Sequence, residues 1–233
     1  RYAQRYGAPW TADQTLIAVG GKGALFEVAL ALFEEGQEVV LHTPAWVSIP
    51  EQIRFAGATV VEVPTTGADG FAVDPDAMLA AITARTRAVI VNSPCNPTGG
   101  RISPAAMTVI IEGCAARGVL VISDETYERF VYDGAEPFSA ASLAERFPET
   151  VVVVVGTPVD EHLNPDPEAV TRTIESLAYR LVDGQLLVLR STLYPGVTAL
   201  VGQLLRGLGR DIDVSFCPER IAEGHALEEL HTL

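Results

Sequence analysis

The chain has 233 residues and a formal net charge of −14 at pH 7. This charge argues against nucleic acid and against an anionic membrane surface, because both partners select a protein face with a cationic excess. Hydrophobic residues make up 48% of the chain and charged residues 20%, as in globular proteins. No apolar stretch approaches the roughly 20 residues of a membrane helix. We therefore expect a globular protein whose partner is a small molecule.

Two residue types limit the chemistry further. The three cysteines, Cys95, Cys114 and Cys217, form no CxxC pair and no Cys/His metal spacing. We therefore expect reduced thiols in a cytoplasmic protein, and no metal site. Lys22 is the only lysine in the sequence. Any step that needs a lysine amine has this single candidate.

Residues 15–63 alternate between strand and helix patterns. Leu16–Val19 is predicted as a strand that runs into a glycine-rich turn and a helix with one apolar stripe. Glu38–Leu41 and Thr59–Val63 are predicted strands, and the helix Ser48–Ala56 lies between them.

The same alternation continues to residue 133. Asp74-Pro75 and Ser103-Pro104 each combine a capping residue with proline at the first helical position, and so predict two helix starts. Arg87–Val91 and Val119–Ile122 are predicted strands. Such alternation predicts an α/β fold of three layers, in which helices cover both faces of a twisted, mainly parallel sheet.

A run of five valines, Val151–Val155, is predicted as a fully buried strand that ends at Gly156. The α/β pattern continues beyond it. We predict a helix that opens at Asp166-Pro167, strands at Gln185–Leu189 and Asp213–Phe216, and a helix between these strands.

Four polar or glycine-rich motifs lie at strand ends in the first part of the chain. They are Gly20-Gly21-Lys22-Gly23-Ala24-Leu25, Pro44-Ala45-Trp46, Asn92-Ser93-Pro94-Cys95-Asn96-Pro97-Thr98-Gly99 and Ser123-Asp124-Glu125-Thr126-Tyr127. Ligands of parallel sheets bind beyond the carboxyl ends of the strands. Together the motifs resemble the large domain of pyridoxal-phosphate-dependent aminotransferases of the aspartate aminotransferase type (class I/II), and the resemblance covers residues 1–154.

The resemblance implies a pyridoxal 5'-phosphate site. Trp46 would stack on the pyridine ring, and Asp124 would pair with the ring nitrogen and keep it protonated. Asn96 and Tyr127 would hydrogen-bond to the phenolic oxygen of the ring. The cofactor phosphate would meet the N–H groups of a helix N-terminus, formed by Gly21, Lys22, Gly23 and Ala24.

Each motif also has a structural interpretation. Asn96-Pro97-Thr98-Gly99 is a turn sequence by itself, Asp124 could cap a helix at a strand end, and Trp46 could belong to the core. A larger departure concerns the lysine that forms the Schiff base in this family. The valine run should lead into its loop, but Gly156-Thr157-Pro158 follows instead. We therefore expect a catalytically incomplete protein and assign no catalytic residue.

Residues 151–233 resemble a second family, the UDP-N-acetyl-hexosamine and UDP-glucose 6-dehydrogenases. The resemblance is carried by Val155-Gly156-Thr157-Pro158, Arg190-Ser191-Thr192-Leu193-Tyr194-Pro195-Gly196 and Phe216-Cys217-Pro218-Glu219-Arg220-Ile221-Ala222-Glu223-Gly224. It implies that Thr157 and Thr192 lie near NAD, and that Glu219 and Glu223 lie near the sugar. The sequence contains no G-x-G-x-x-G turn, so NAD is the weaker of the two cofactor predictions.

The sequence therefore predicts a chimera of two domains, an aminotransferase large-domain fragment (residues 1–154) and a nucleotide-sugar dehydrogenase fragment (residues 155–233). The first hypothesis for its function is pyridoxal phosphate binding with an amino-acid transamination ancestry. Two alternatives stay open: NAD-dependent oxidation of a UDP-N-acetyl-hexosamine, and a non-catalytic α/β protein. The ligand would be an amino acid or a nucleotide sugar, and a homodimer is compatible with each hypothesis.

Overall fold

The computed structural model describes residues 2–132, 134–148, 150–153, 167–189 and 195–216. The chain divides into two compact units, Arg1–Gly156 and Thr157–Leu233. Each unit has its own sheet and its own hydrophobic core.

The first unit contains a five-stranded sheet in the order β2-β1-β3-β4-β5. Every neighbouring pair of these strands is parallel. The strands are β1 (Glu38–Thr43), β2 (Thr59–Pro64), β3 (Thr86–Asn92), β4 (Leu120–Asp124) and β5 (Thr150–Val153). The helices are α1 (Tyr2–Tyr6), α2 (Gly20–Leu32), α3 (Ser48–Phe55), α4 (Pro75–Ala80) and α5 (Pro104–Ala115).

Alternating side chains of the strands point to the two faces of this sheet, and each face carries helices. Val40, Val89 and Val121 pack with residues of α4 and α5, among them Met78 and Ile110. On the opposite face, other strand residues pack with residues of α2 and α3; the buried members are Val39, Leu41, Ile90, Ile122, Leu25, Ala29, Ile49 and Ile53. The predicted three-layer α/β fold, with a mainly parallel sheet, is confirmed.

Local sequence signals account for several helix boundaries. The Asp74 side chain accepts a hydrogen bond from the N–H of Asp76, and the Ser103 hydroxyl oxygen accepts one from the N–H of Ala106. Proline occupies the first helical position after each of these caps. Both predicted helix starts are therefore confirmed, because the caps satisfy N–H groups that have no partner within the helix.

The second unit contains a parallel pair of strands, β6 (Leu186–Leu189) and β7 (Asp213–Phe216). Its helices are α6 (Pro167–Leu177) and α7 (Val197–Gly207). Val201 and Leu205 of α7 pack with Leu189 and with Ile174 of α6 in one buried cluster. The predicted strand–helix–strand order of this region is confirmed.

Two predicted strands differ from the structure. Leu16–Val19 forms no strand, and Leu16, Ile17 and Val19 are exposed at 78, 96 and 71%. An apolar pattern alone does not make a strand when no neighbour supplies the backbone partners. The valine run does form a strand as predicted, within β5 (Thr150–Val153), but its burial differs: β5 lies at the edge of the described sheet beside β4, and Val151 and Val152 are half-buried rather than fully buried.

Among the described residues, no helix is both long enough and apolar enough to cross a bilayer.

Candidate functional site

Three loops leave the same edge of the five-stranded sheet. β1 ends at Thr43, β3 at Asn92 and β4 at Asp124, and all three strands run in the same direction. The ends of β3 and β4 are in register, with Asn92 opposite Asp124. The loops that carry Trp46, Asn96 and Tyr127 therefore start at the carboxyl edge, where parallel sheets bind ligands.

The N-terminus of α2 lies near the loop after β1. Gly20 adopts φ +74°, and the helix begins there without a side-chain cap. The first turn of the helix contains no acidic residue. Gln52 of α3 donates its amide hydrogen to the carbonyl oxygen of Lys22 at 3.0 Å, which ties this turn to α3. An uncapped first turn leaves N–H donors and the positive end of the helix dipole for an anion.

Lys22 and Trp46 meet at this edge. The Nζ atom of Lys22 lies 5.4 Å from the centroid of the Trp46 ring. An ammonium group at this distance from an indole face makes a cation–π contact. The sequence predicted Trp46 as a stacking surface and Lys22 as part of the phosphate loop, and the structure brings the two side chains together.

Asp124 is a buried carboxylate, with 4% of the residue exposed. Its Oδ1 atom accepts hydrogen bonds from the N–H of Thr126 at 3.1 Å and from the hydroxyl of Thr126 at 2.7 Å. Burial raises the pKa of Asp124, and the two bonds from Thr126 oppose this effect. A buried acid with one oxygen committed in this way can accept a hydrogen bond from a cationic N–H group.

Asn92 connects the ends of three strands. Its backbone N–H donates to Nε2 of His42 at 3.1 Å, and its side-chain amide donates to the backbone oxygen of Asp124 at 3.1 Å. Its Oδ1 atom accepts a hydrogen bond from the N–H of Asn96 at 2.8 Å. Asn92 therefore fixes the loop that carries Asn96 relative to the strand that carries Asp124.

His42 is neutral in this arrangement. The residue is 2% exposed, and burial lowers its pKa to about 4. Its Nε2 atom accepts the hydrogen bond from Asn92, so the imidazole lacks a proton there. His42 was assigned no role from the sequence, because its only signal was a polar residue near the end of a buried strand. Thr126 lies within the Ser123–Tyr127 motif, but no role was assigned to it.

Asn96 and Tyr127 line a common cleft of about 570 Å³. The ring of Tyr127 packs edge-on against Phe130, with 5.7 Å between the ring centroids. Lys22, Trp46 and Asp124 do not line this cleft. The structure therefore groups the predicted site residues into the Lys22–Trp46 pair, the Asp124–Thr126 pair and the Asn96–Tyr127 cleft, all at one edge of the sheet. The roles of these residues stay predictions.

The predicted dehydrogenase-type positions, Thr157, Thr192, Glu219 and Glu223, lie outside the described residues.

Comparisons with known proteins identify the family of the first unit. The family model "Aminotransferase class I and II" matches residues 1–157. The chain belongs to the class I and II aminotransferases. A second family model, for the NAD binding domain of the UDP-glucose/GDP-mannose dehydrogenase family, matches residues 126–233. The two family resemblances recognised in the sequence are confirmed.

The chain is similar to aminotransferases of several bacteria. It is 41% identical over 156 residues to a probable aspartate/prephenate aminotransferase of Thermus aquaticus, and 38% identical over 156 residues to an aspartate aminotransferase of Geobacillus stearothermophilus. Each match covers 67% of this chain and 40% of the relative. This aminotransferase-family chain therefore matches less than half the length of these relatives.

A solved structure shows the same similarity in three dimensions. The structure of Thermus thermophilus aspartate aminotransferase with maleate superimposes with a TM-score of 0.62 at 39% identity. The match covers 66% of this chain and 39% of that enzyme. The first unit therefore has the fold of the matched part of aspartate aminotransferase.

Proposed function

We propose that residues 1–154 form a reversible pyridoxal phosphate site and that the chain does not complete transamination. The observation that carries the proposal is the buried carboxylate of Asp124, which Thr126 fixes through Oδ1 and whose pKa burial raises. Such a group costs stability unless a cationic partner reaches it. The protonated pyridine nitrogen of the cofactor is a partner of this kind, and the family match supports it.

The first turn of α2 supplies the proposed phosphate site. The turn has no side-chain cap and no acidic residue, so N–H donors and the helix dipole favour a dianion. Lys22 adds the only ammonium group in the sequence to this turn. The predicted set of Gly21, Lys22, Gly23 and Ala24 lies at the start of the 13-residue helix.

The remaining residues would hold and orient the ring. Trp46 offers an aromatic face, one side of which the Lys22 ammonium approaches. Asn96 and Tyr127 offer an amide and a hydroxyl donor from the two walls of one cleft. Bound in this way, pyridoxal phosphate supplies an electron-withdrawing pyridinium ring.

The expected lack of turnover follows from the lysine count. Lys22 belongs to the helix turn proposed for the phosphate, and the sequence has no second lysine. Its ammonium group makes a cation–π contact with the ring of Trp46. We therefore assign Lys22 to phosphate and ring binding, with no covalent role.

A spectroscopic titration tests the binding. The full chain is titrated with pyridoxal phosphate, and the change in cofactor absorbance gives the dissociation constant. Asp124→Asn retains the acceptor oxygen for Thr126 but loses the charge, and should weaken binding by tenfold or more, on the order of the loss of a charge-assisted hydrogen bond. Asp69→Asn, at an exposed position, is the matched control. Equal dissociation constants for the wild type and Asp124→Asn would contradict the proposal.

A second candidate function, NAD binding by the second unit, is favoured by the family match over residues 126–233. The parallel strands β6 and β7 agree with this match. The sequence nevertheless lacks the glycine-rich turn that holds the pyrophosphate of NAD. We expect NAD binding weaker than millimolar. Calorimetry that shows saturation at lower concentrations would favour the dehydrogenase hypothesis.

A further inference from the structure

Phe71 adopts a backbone conformation that is rare for a side chain of its size. It lies in the loop between β2 and α4 with φ +60°, and among the described residues every other positive φ angle belongs to a glycine. The left-handed region brings Cβ close to the following carbonyl oxygen, so a bulky residue there costs free energy that glycine would not. Such strain persists only where the surrounding contacts fix it, and it is concentrated at functional sites.

Contacts within the same loop hold Phe71 in this conformation. Its N–H donates to the carbonyl oxygen of Thr66 at 2.7 Å. Its ring packs over Gly67, where an added Cβ atom would lie 3.4 Å from Cζ of the ring. The hydrogen bond and the ring contact together offset the strain. A glycine at position 71 would avoid the strain but would lose the ring contact.

The backbone of Phe71 lies directly against Gly100, in the loop that carries Asn96. A Cβ atom on Gly100 would lie 2.9 Å from the carbonyl oxygen of Phe71 and 3.1 Å from its Cβ atom. Non-bonded heavy atoms do not approach this closely unless the backbone shifts. The φ angle of Gly100 lies outside the left-handed region, so its own conformation does not require glycine. Glycine is needed at position 100 because Phe71 occupies the space beside it.

Hydrogen bonds connect Gly100 to the start of its loop. The carbonyl oxygen of Gly100 accepts a bond from the N–H of Cys95 at 2.9 Å. The next residue is Asn96, whose own N–H donates to Oδ1 of Asn92 at 2.8 Å. Asn92 therefore holds this loop from the end of β3, and Phe71 supports it from the opposite end. Any movement of Gly100 away from Phe71 would reach Asn96 through Cys95.

We propose that Phe71 is a positioning residue for Asn96: its left-handed backbone seats Gly100 and so fixes the loop from which the Asn96 amide reaches its ligand. Among the described residues, Asn96 lines the cleft and Phe71 does not, so Phe71 acts through the loop and not by contact. The inference rests on the proposed function and deepens it, because the ligand group concerned is the phenolic oxygen of pyridoxal phosphate. A donor that is fixed in advance loses less entropy when the ligand binds.

Gly100→Ala tests the contact in the full chain without cofactor. The added methyl group must separate Gly100 from Phe71 and so weaken the bond to the N–H of Cys95. The Cys95 thiol, in a residue that is 7% exposed, should then react with iodoacetamide about tenfold faster, as measured by peptide mapping. The matched control is Gly113→Ala, whose Cβ atom would lie 2.5 Å from Cδ1 of Leu79 between α4 and α5. Its Cys95 should react at the wild-type rate. Equal rates for Gly100→Ala and the wild type would overturn the inference.

A second pair of variants introduces no clash and separates the backbone of Phe71 from its ring. Phe71→Ala and Phe71→Gly both lack the ring, but only glycine retains the left-handed conformation without strain. Phe71→Ala should weaken pyridoxal phosphate binding about tenfold, and Phe71→Gly should weaken it less. Neither should change the affinity for 3-deoxypyridoxal 5'-phosphate, which lacks the phenolic oxygen. Equal losses for both compounds would indicate a merely structural role and overturn the inference. If the wild type binds neither compound, the proposed function fails, and the Cys95 alkylation rates still decide whether Phe71 holds the loop.

Discussion

Asn92 shows how one residue organises the candidate site. Its backbone binds His42 of β1, its side-chain amide binds the backbone of Asp124, and its Oδ1 atom holds the N–H of Asn96. Because Asn92 is buried, each of these bonds replaces one that water would otherwise make. The positions of Asp124 and Asn96 relative to each other therefore depend on a residue that would not itself contact the cofactor.

Asp124 should carry a stability cost that the cofactor relieves. Its raised pKa means that the folded state binds the Asp124 proton more tightly than the unfolded state does. The protonated carboxyl therefore adds to the free energy of unfolding below pH 3.8, the ordinary pKa, and this stabilisation is lost as the pH rises through the pKa of the folded state. We expect Asp124→Asn to raise the unfolding free energy of the cofactor-free protein at pH 7 by on the order of 1 kcal/mol. Thermal unfolding at pH 7 measures this change. The sign should reverse with saturating pyridoxal phosphate, and a lower melting temperature of the variant without cofactor would refute the prediction.

His42 should make the stability depend on pH in the opposite direction. Its pKa falls from 6.5 to about 4 on folding. The neutral imidazole therefore makes its full contribution to the free energy of unfolding above pH 6.5, and this stabilisation is lost as the pH falls towards 4. The loss should reach up to about 3 kcal/mol. His42→Gln retains an acceptor for the N–H of Asn92 but does not titrate. Urea unfolding between pH 7.5 and 4.5 should show a shallower slope for the variant; parallel slopes would rule out a neutral buried imidazole.

At the scale of elements, the position of β5 can be tested by a pair of substitutions. Val89 lies in the central strand β3 and is fully buried, whereas Val152 lies in the edge strand β5 and is half-buried. A charge at Val89 has no route to water, so Val89→Asp should cost several kcal/mol and prevent folding. Val152→Asp should remain folded with a smaller loss in urea midpoint. Equal losses would place β5 inside the sheet.

The sequence predicted most elements because local signals and tertiary packing agree in them. The caps at Asp74 and Ser103 and the alternation in β1 and β3 are examples. It failed at Leu16–Val19, which forms no strand, and it overestimated the burial of the valine run, because pairing and burial depend on which neighbours are present and not on the pattern of one segment. An apolar pattern shows that a segment can form a strand, and the neighbouring strands of the sheet decide whether it pairs and how deeply it is buried.

The sequence also predicted part of the candidate site. Trp46, Asn96, Asp124 and Tyr127 could be chosen because each lies in a motif directly after a predicted strand. His42 could not, because its partner Asn92 is 50 residues away in sequence and is adjacent only in the folded chain. Thr126 lies within a predicted motif, two residues from Asp124, but the motif gave no role to its hydroxyl. Motifs therefore gave the residues that would contact a ligand, and the structure gave those that position them.

At the scale of the whole molecule, the first unit should fold by itself. Its sheet and both helix layers lie within residues 1–156. We propose that this boundary separates an aminotransferase-type domain from a dehydrogenase-type domain. A fragment of residues 1–156 should give cooperative thermal unfolding and the same dissociation constant for pyridoxal phosphate as the full chain. A fragment that melts without cooperativity would show that the first unit depends on the second.

The central claim, a cofactor held without a covalent bond, is tested most directly by borohydride reduction and peptide mapping. The full chain is saturated with pyridoxal phosphate, reduced and digested, and the peptide that contains Lys22, the only lysine, is analysed by mass. We expect an unmodified Lys22 peptide, while the same sample before reduction shows saturable binding. A stoichiometric pyridoxyl group on Lys22, together with release of pyridoxamine phosphate on addition of an amino acid, would contradict the account and show that the chain is a working aminotransferase.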